Sequence, residues 1–163
     1  MQKITPCLWF EKNNAEEAMH FYTSVFKNSK IVLLKRYPEG VDVGPMKEMA
    51  GKVLTGIFEL EGQQFMCLDG GSVFTFDRAA ISFQVECETQ DEVDHYWKNL
   101  SAVPEAEQCG WLKDKFGIAW QIIPKQMGAL LTDPDAEKSG RVMQAMLQMK
   151  KIVIADLEAA ARG

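Results

Sequence analysis

Short blocks of alternating apolar and polar residues run along the chain, interrupted by stretches whose apolar positions recur at helical spacing. Ala15, Ala18, Tyr22 and Val25 share one stripe of segment 14–26, with Glu16 and Glu17 in the first turn behind Asn14. That pattern predicts an amphipathic helix with an Asn cap. Around it, 4–10 and 30–37 are β-branched or aromatic runs of strand length, and 52–69 breaks at Glu61-Gly62 into 53–60 and 63–68, as an antiparallel hairpin would. Residues 38–51, with Gly40, Gly44 and Pro45, read as a long loop. The first seventy residues therefore predict β-α-β-β-β.

The pattern then repeats. Glu16-Glu17-Ala18-Met19-His20-Phe21-Tyr22 lies over Asp91-Glu92-Val93-Asp94-His95-Tyr96-Trp97, and the strand at 5–10 lies over 80–85. Glu61-Gly62-Gln63-Gln64-Phe65-Met66 similarly lies over Phe116-Gly117-Ile118-Ala119-Trp120-Gln121. The second half reads as strand 80–87, helix 89–100, a region 105–114 able to supply two strands, and strand 118–123. Two copies of one β-α-β-β-β unit are expected, the first over 1–71 and the second over 79–125.

After Pro124 the repeat ends, and 126–163 reads as a helical extension of the same domain. Thr132-Asp133-Pro134-Asp135 predicts a helix start with Asp133 as the cap and Pro134 in the first turn. Val142, Met143, Met146 and Leu147 make a stripe, and Ile154, Leu157, Ala160 and Ala161 suggest a second short helix. The Met-rich stripe suits packing on the sheet or against a second copy of the chain.

Composition narrows the function class. The 163 residues fit one domain of ~150 residues, and 47% hydrophobic against 25% charged residues is an ordinary globular balance. Eighteen basic against 23 acidic residues give a net charge of −5, with no basic cluster larger than a pair such as Lys150-Lys151. Nucleic acid and anionic membranes are thus not expected partners. No apolar signal core precedes the first strand and no long apolar run occurs, so a cytoplasmic location is expected. Cys7, Cys67, Cys87 and Cys109 form no C-x-x-C pair, which favours reduced, mostly buried thiols over disulfides or structural zinc.

The helix ending His20-Phe21-Tyr22, Phe58-Glu59-Leu60-Glu61-Gly62, Cys67-Leu68-Asp69-Gly70-Gly71, and Cys109-Gly110-Trp111-Leu112-Lys113-Asp114-Lys115-Phe116-Gly117 with Trp120-Gln121 together carry a resemblance. The chain resembles the PhnB-like branch of the vicinal oxygen chelate superfamily, which also holds glyoxalases, bleomycin-resistance proteins and extradiol dioxygenases. The resemblance implies an α+β fold in which paired modules form a cup-shaped mixed sheet, commonly completed by a homodimer partner. It also implies a divalent ion held by His and Glu on the first and last strand of each module. Those places match Cys7 (or Thr5), Met66, Ala80 (or Ser82) and Gln121, none of them a His or carboxylate.

A thiol, a thioether, a methyl or hydroxyl and a carboxamide make a poor ligand set for Mg²⁺, Mn²⁺ or Fe²⁺. His20 and His95 fall on the polar flanks of their helices and read as solvated residues. Alternation groups Thr5-Cys7-Trp9, Gln64-Met66-Leu68, Ser82-Gln84-Glu86 and Ala119-Gln121-Ile123 on one face of each strand, with more apolar faces such as Ile81-Phe83-Val85-Cys87 under the helices. The polar faces suit either a ligand cup or simply the wetter side of the sheets. Glu59, on the face of Thr55 and Ile57, reads as an outward residue, with a base reaching the cup as the alternative.

The reading is a small-molecule binding protein with a degenerate metal site and no predicted cofactor, working as a homodimer. Its cup is expected from Cys7, Trp9, Thr55, Met66, Ser82, Gln84, Trp111 and Gln121, with Trp9 and Trp111 at the mouth and a flat, weakly polar ligand inside. The alternative is a divalent-metal-dependent lyase or isomerase. A methyl-donor nucleotide site is not expected, because it would call for a doubly wound sheet with a Gly-rich first loop.

Overall fold

A computed structural model describes residues 5–38, 49–73 and 81–163. The chain divides into two compact units, Met1–Thr75 and Phe76–Gly163. In the first, β1 (Cys7–Phe10), α1 (Ala15–Val25), β2 (Ser29–Arg36), β3 (Val53–Leu60) and β4 (Gln63–Asp69) follow one another. They form a mixed sheet of order β1-β4-β3-β2, parallel only between β1 and β4. The predicted hairpin is present, with Glu61 and Gly62 both at positive φ (47° and 83°), as a tight two-residue turn requires. Ile4 and most of the predicted loop, 39–48, lie outside the described residues.

Helix α1 buries Ala15, Ala18, Met19, Tyr22 and Val25. Tyr22 stacks on Phe58 (centroids 6.0 Å) and Phe58 on Phe65 (5.3 Å), so the helix covers the face carrying Phe58, Phe65 and Cys67. Each such side chain contributes about 1.5–3 kcal/mol on burial. The fit is close: a Cβ at Gly56 would lie 2.6 Å from the Cys67 sulfur and 2.7 Å from that of Met19. The expected Asn cap is not what closes the helix. Asn14 makes no side-chain cap bond, and the buried Asp69 carboxylate, from the far end of β4, accepts from Ala15 N (2.8 Å) through Oδ1 and Val53 N (2.8 Å) through Oδ2. A carboxylate is the stronger acceptor at a helix N-terminus, and this one also ties α1 to the start of β3.

The second unit contains β5 (Ser82–Cys87), α2 (Gln90–Leu100), β6 (Trp111–Lys113) and β7 (Ala119–Pro124), with sheet order β5-β7-β6. The outer β5–β7 pair is again parallel and β6–β7 antiparallel, repeating the β1-β4-β3 arrangement. Of the two strands expected in 105–114, β6 forms; a 3-10 turn at Pro104–Ala106 and a single bridge from Gln108 to Trp111 occupy the other's place. Leu112, Trp120, Ile122, Cys87, Val93 and Leu100 are buried. Ile81, expected under a helix, is 79% exposed. Asp114, 1% exposed, accepts from Phe116 N (2.9 Å), Ile118 N (3.0 Å) and the Trp120 indole (2.8 Å), closing the turn between β6 and β7.

Three further helices complete this unit: α3 (Lys125–Leu131), which periodicity did not reveal, α4 (Ala136–Leu147) and α5 (Ile154–Arg162). The cap of α4 is Asp135, which accepts from Glu137 N and Lys138 N; Asp133, the expected cap, instead accepts from Asp135 N and pairs with Lys138. Pro134 accordingly precedes the helix. Val142, Ile152 and Leu157 make a small core with Met127, Leu130, Met146 and Met149 around it. The α4–α5 link is hooked to the module: Gln90 bonds Ile154 N and Ile152 O, Lys151 pairs with Asp94 (2.6 Å), and Met149 O and Lys150 O accept from Cys109 N and Gly110 N. That pairing holds the Asp94 carboxyl below its usual range, through the Lys151 and Gln90 hydrogen bonds.

Candidate functional site

In each unit the sheet face turned away from the helix carries the polar residues, several of them half-buried, and on the second unit it also carries the buried Ala119 and Ile123. On the first, alternation in β1 leaves Leu8 and Phe10 buried and turns Cys7 and Trp9 outward. Register then lines up Cys7 with Met66, Met66 with Ile57, and Ile57 with Leu33 in one row across the sheet. A second row holds Gln64, Glu59 and Lys30, with Glu59 paired to Lys30 at 3.7 Å. Thr55, half-buried, lies opposite Lys35.

Trp9 has a local structural partner. Its indole donates to Gly71 O (2.9 Å) and its ring covers Gly70, where an added Cβ would come within 2.0 Å of the ring. Gly70 is thus required by a close approach, and the Trp9 ring is fixed against the turn after β4.

On the second unit, Ser82, Gln84 and Glu86 of β5, Ala119, Gln121 and Ile123 of β7, and Trp111 and Lys113 of β6 share the face. Gln84 and Trp111 flank Gln121 in one row; Ser82 and Lys113 flank Ala119 in the next. The amide of Gln121 donates to the Ser82 hydroxyl at 2.9 Å. That bond leaves the Ser82 proton and the Gln121 oxygen for another molecule. Among the expected residues, then, Cys7 joins Met66 within one unit, and Ser82, Gln84, Trp111 and Gln121 come together within the other. Ala80, the alternative to Ser82, lies outside the described residues. Thr5, the alternative to Cys7, is exposed.

Lys113 was not expected here. Strand alternation from Trp111 was the signal that could have placed it on the same face. Its half-burial beside neutral neighbours is a property of the folded sheet.

The donors at the positions matched to the metal ligands do not fit a Lewis-acid divalent ion. Cys7 is an exposed residue overall, yet partial burial raises its thiol above the ordinary 9.0, which favours the protonated form. Met66 offers a thioether, Ser82 a hydroxyl already accepting a bond, and Gln121 a carboxamide. Among the described residues no three His, Cys, Asp or Glu side chains gather at metal-binding distance. His20 and His95 are exposed, and His95 is engaged by Asn99 on its own helix. All four cysteines are free; Cys67 and Cys87 are buried, with thiols pushed up to about 12 chiefly by desolvation.

A cavity of about 350 Å³ also opens in the first unit at the start of α1, bordered by Asn13, Glu16, His20, Arg36 and Lys52 and by none of the expected residues. Its charged groups largely satisfy one another: Arg36 bonds both Glu16 oxygens (2.6 and 2.7 Å) and Gly51 O, and both Asp69 oxygens accept backbone N–H groups. The cavity therefore has less to offer a ligand than the open face at Gln121.

A module in which the first and last strands pair in parallel beside an antiparallel hairpin, present twice in one chain, is the architecture of the vicinal oxygen chelate superfamily. The profile of a family described as 3-demethylubiquinone-9 3-methyltransferase matches residues 2–123. A PhnB protein from Bacillus cereus, whose description carries the same methyltransferase name, is 40% identical, with a TM-score of 0.61 over 76% of this chain and 99% of that one. The protein PA1353 from Pseudomonas aeruginosa, 16% identical, matches in fold, with a TM-score of 0.58 over 76% of this chain and 98% of that one. No protein of curated function matches the sequence. The chain belongs to the PhnB-like family of the vicinal oxygen chelate superfamily. The methyltransferase in the family's description is a label only: both described sheets are mixed, without the doubly wound parallel sheet and Gly-rich loop of a dinucleotide-type site. Among the described residues no helix is long and apolar enough to cross a membrane.

Proposed function

We propose that this protein binds a small, flat organic molecule on the open faces of its sheets, as a cytoplasmic homodimer and without a resident metal. The observation that carries the reading is the Ser82–Gln121 hydrogen bond beside Trp111, at positions where metal-using relatives are expected to hold ligands. A hydroxyl and an amide that orient one another offer a donor and an acceptor at fixed places, and an indole in the neighbouring strand offers a stacking surface. Such an arrangement orients a neutral polar group; it does not activate water or polarise a carbonyl as a metal would. No catalytic residue is assigned.

Benzamide, a flat molecule with one amide, is a suitable probe. Gln121→Leu is expected to weaken its binding about fivefold, the equivalent of one neutral hydrogen bond of about 1 kcal/mol, with the thermal melt unchanged. Gln121→Glu adds a carboxylate but is expected to confer no tight binding of Mn²⁺, because Cys7, Met66 and Ser82 remain poor donors. Benzamide affinity indifferent to Gln121→Leu, or nanomolar Mn²⁺ binding by Gln121→Glu, would overturn the reading.

A further inference from the structure

Lys113 sits in the row that contains Ser82 and Ala119, on the same sheet face as Trp111 and Gln121. It is half-buried, and among the described residues no ion pair or side-chain hydrogen bond engages its ammonium. Among the described residues the other half-buried lysines, Lys138 and Lys151, are paired, with Asp133 and Asp94 respectively. Partly desolvating an ammonium without an anion costs free energy, which a bound anion would offset. Its neighbours in the sheet supply none: Ala119 opposite, Trp111 on the same strand and face, and Ser82 and Gln121 beyond are all neutral.

The row has the dimensions of a small anion site. Strands lie about 4.8 Å apart, so the Cα atoms of Ser82 and Lys113 stand about 10 Å from one another across β7. The Ala119 methyl between them adds no polar atom. Ala119 is itself buried, so a carboxylate held between the half-buried side chains that flank it would meet the Lys113 ammonium from one side and the Ser82 hydroxyl proton from the other, while a ring attached to it would extend toward Gln121 and Trp111. We propose that Lys113 makes this face selective for planar organic anions, an aromatic carboxylate being the class that fits the lysine, the hydroxyl and the indole together. The inference rests on the binding reading above and specifies its ligand class. Lys113 is the specificity-determining group and Trp111 and Gln121 the orienting ones.

Benzoate and benzamide, alike in shape and different in charge, separate the two ideas by calorimetric titration of the full chain. Wild-type protein is expected to bind benzoate about tenfold more tightly than benzamide, the scale of one charge-assisted contact. Lys113→Met keeps most of the aliphatic stem and is expected to abolish the preference, bringing benzoate down to the affinity of benzamide; Lys113→Arg is expected to retain the preference. Raising the salt concentration should erode the benzoate preference alone. Equal affinities in the wild type, or a benzoate preference that survives Lys113→Met, overturn the role of Lys113 and leave the neutral site standing if Gln121→Leu still weakens benzamide. Binding of neither probe at millimolar concentration overturns both. Circular dichroism and a thermal melt of each variant distinguish loss of contact from loss of fold.

Discussion

Asp114 offers the most quantitative test of how the second unit is held together. Its carboxylate, 1% exposed, accepts from Phe116 N, Ile118 N and the Trp120 indole at 2.8–3.0 Å. Hydrogen bonds to a charged group each contribute about 1.5–3 kcal/mol net, and a buried donor left unmatched costs about 1–3 kcal/mol. Phe116 N, on the wetter side of the turn, regains water when the carboxylate is removed, whereas Ile118 N and the Trp120 indole do not. Asp114→Ala is therefore expected to cost about 3–5 kcal/mol. Asp114→Asn should cost at least half as much, because an amide that keeps the two backbone bonds must point its NH₂ at the indole N–H. With a urea slope of about 2 kcal/mol per molar, the alanine variant's midpoint falls by about 2 M. Following the Trp120 indole N–H resonance through the titration confines the readout to the second unit, which matters because two compact units need not unfold as one. A loss below about 1 kcal/mol would refute the assignment of Asp114 as the staple of this turn.

Two further predictions concern the thiols and the assembly. Cys67 and Cys87 stand at about 12 against an ordinary 9.0, so folded and unfolded chains bind these protons equally below pH 9.0 and only the unfolded chain releases them just above it. Stability should fall as pH rises from 9 toward 12, by up to about 1.4 kcal/mol per pH unit for each thiol. The double variant Cys67→Ala, Cys87→Ala should flatten that part of the slope in urea midpoints, and an unchanged slope would contradict the burial of these thiols. Met143 and Leu147 on α4 are 42% and 50% exposed, apolar surface that a second copy would cover. Sedimentation equilibrium is expected to give twice the 18.4 kDa chain mass at micromolar concentration; the single-chain mass alone would remove the dimer.

The elements with strong periodicity are legible from the sequence: α1, α2, the 53–60 and 63–68 hairpin, and the duplication itself. The misses have physical causes. Helix caps were assigned to the nearest side chain, but Asp69 reaches Ala15 across 54 positions, and Asp135 lies closer to the start of α4 than Asp133. No local pattern reports an acceptor brought by tertiary structure. Helix α3, seven residues with no capping side chain, carries too short a stripe to register. The polar faces are legible because strand alternation is strict, which puts Ser82 and Gln121 on the faces that the structure joins by a hydrogen bond. An aromatic on a polar face suggests a ligand, which is the ground for expecting Trp9 at a cup mouth; its anchor on Gly70 and Gly71 depends on a turn whose path the sequence does not specify. Burial, not residue type, is what makes Lys113 unusual, and residue type is all that the sequence shows.

The central claim is that the open faces hold an organic molecule by neutral and lysine contacts instead of a catalytic metal. A direct test is one sample of the 163-residue chain, purified without chelator and divided between native mass spectrometry and elemental analysis after dialysis against buffer containing Mn²⁺, Fe²⁺ and Zn²⁺. Substoichiometric metal is expected, with an aromatic carboxylate as the small molecule retained or taken up when offered. A stoichiometric divalent ion that persists through dialysis, lost on substitution of Cys7 or Gln121, would contradict it.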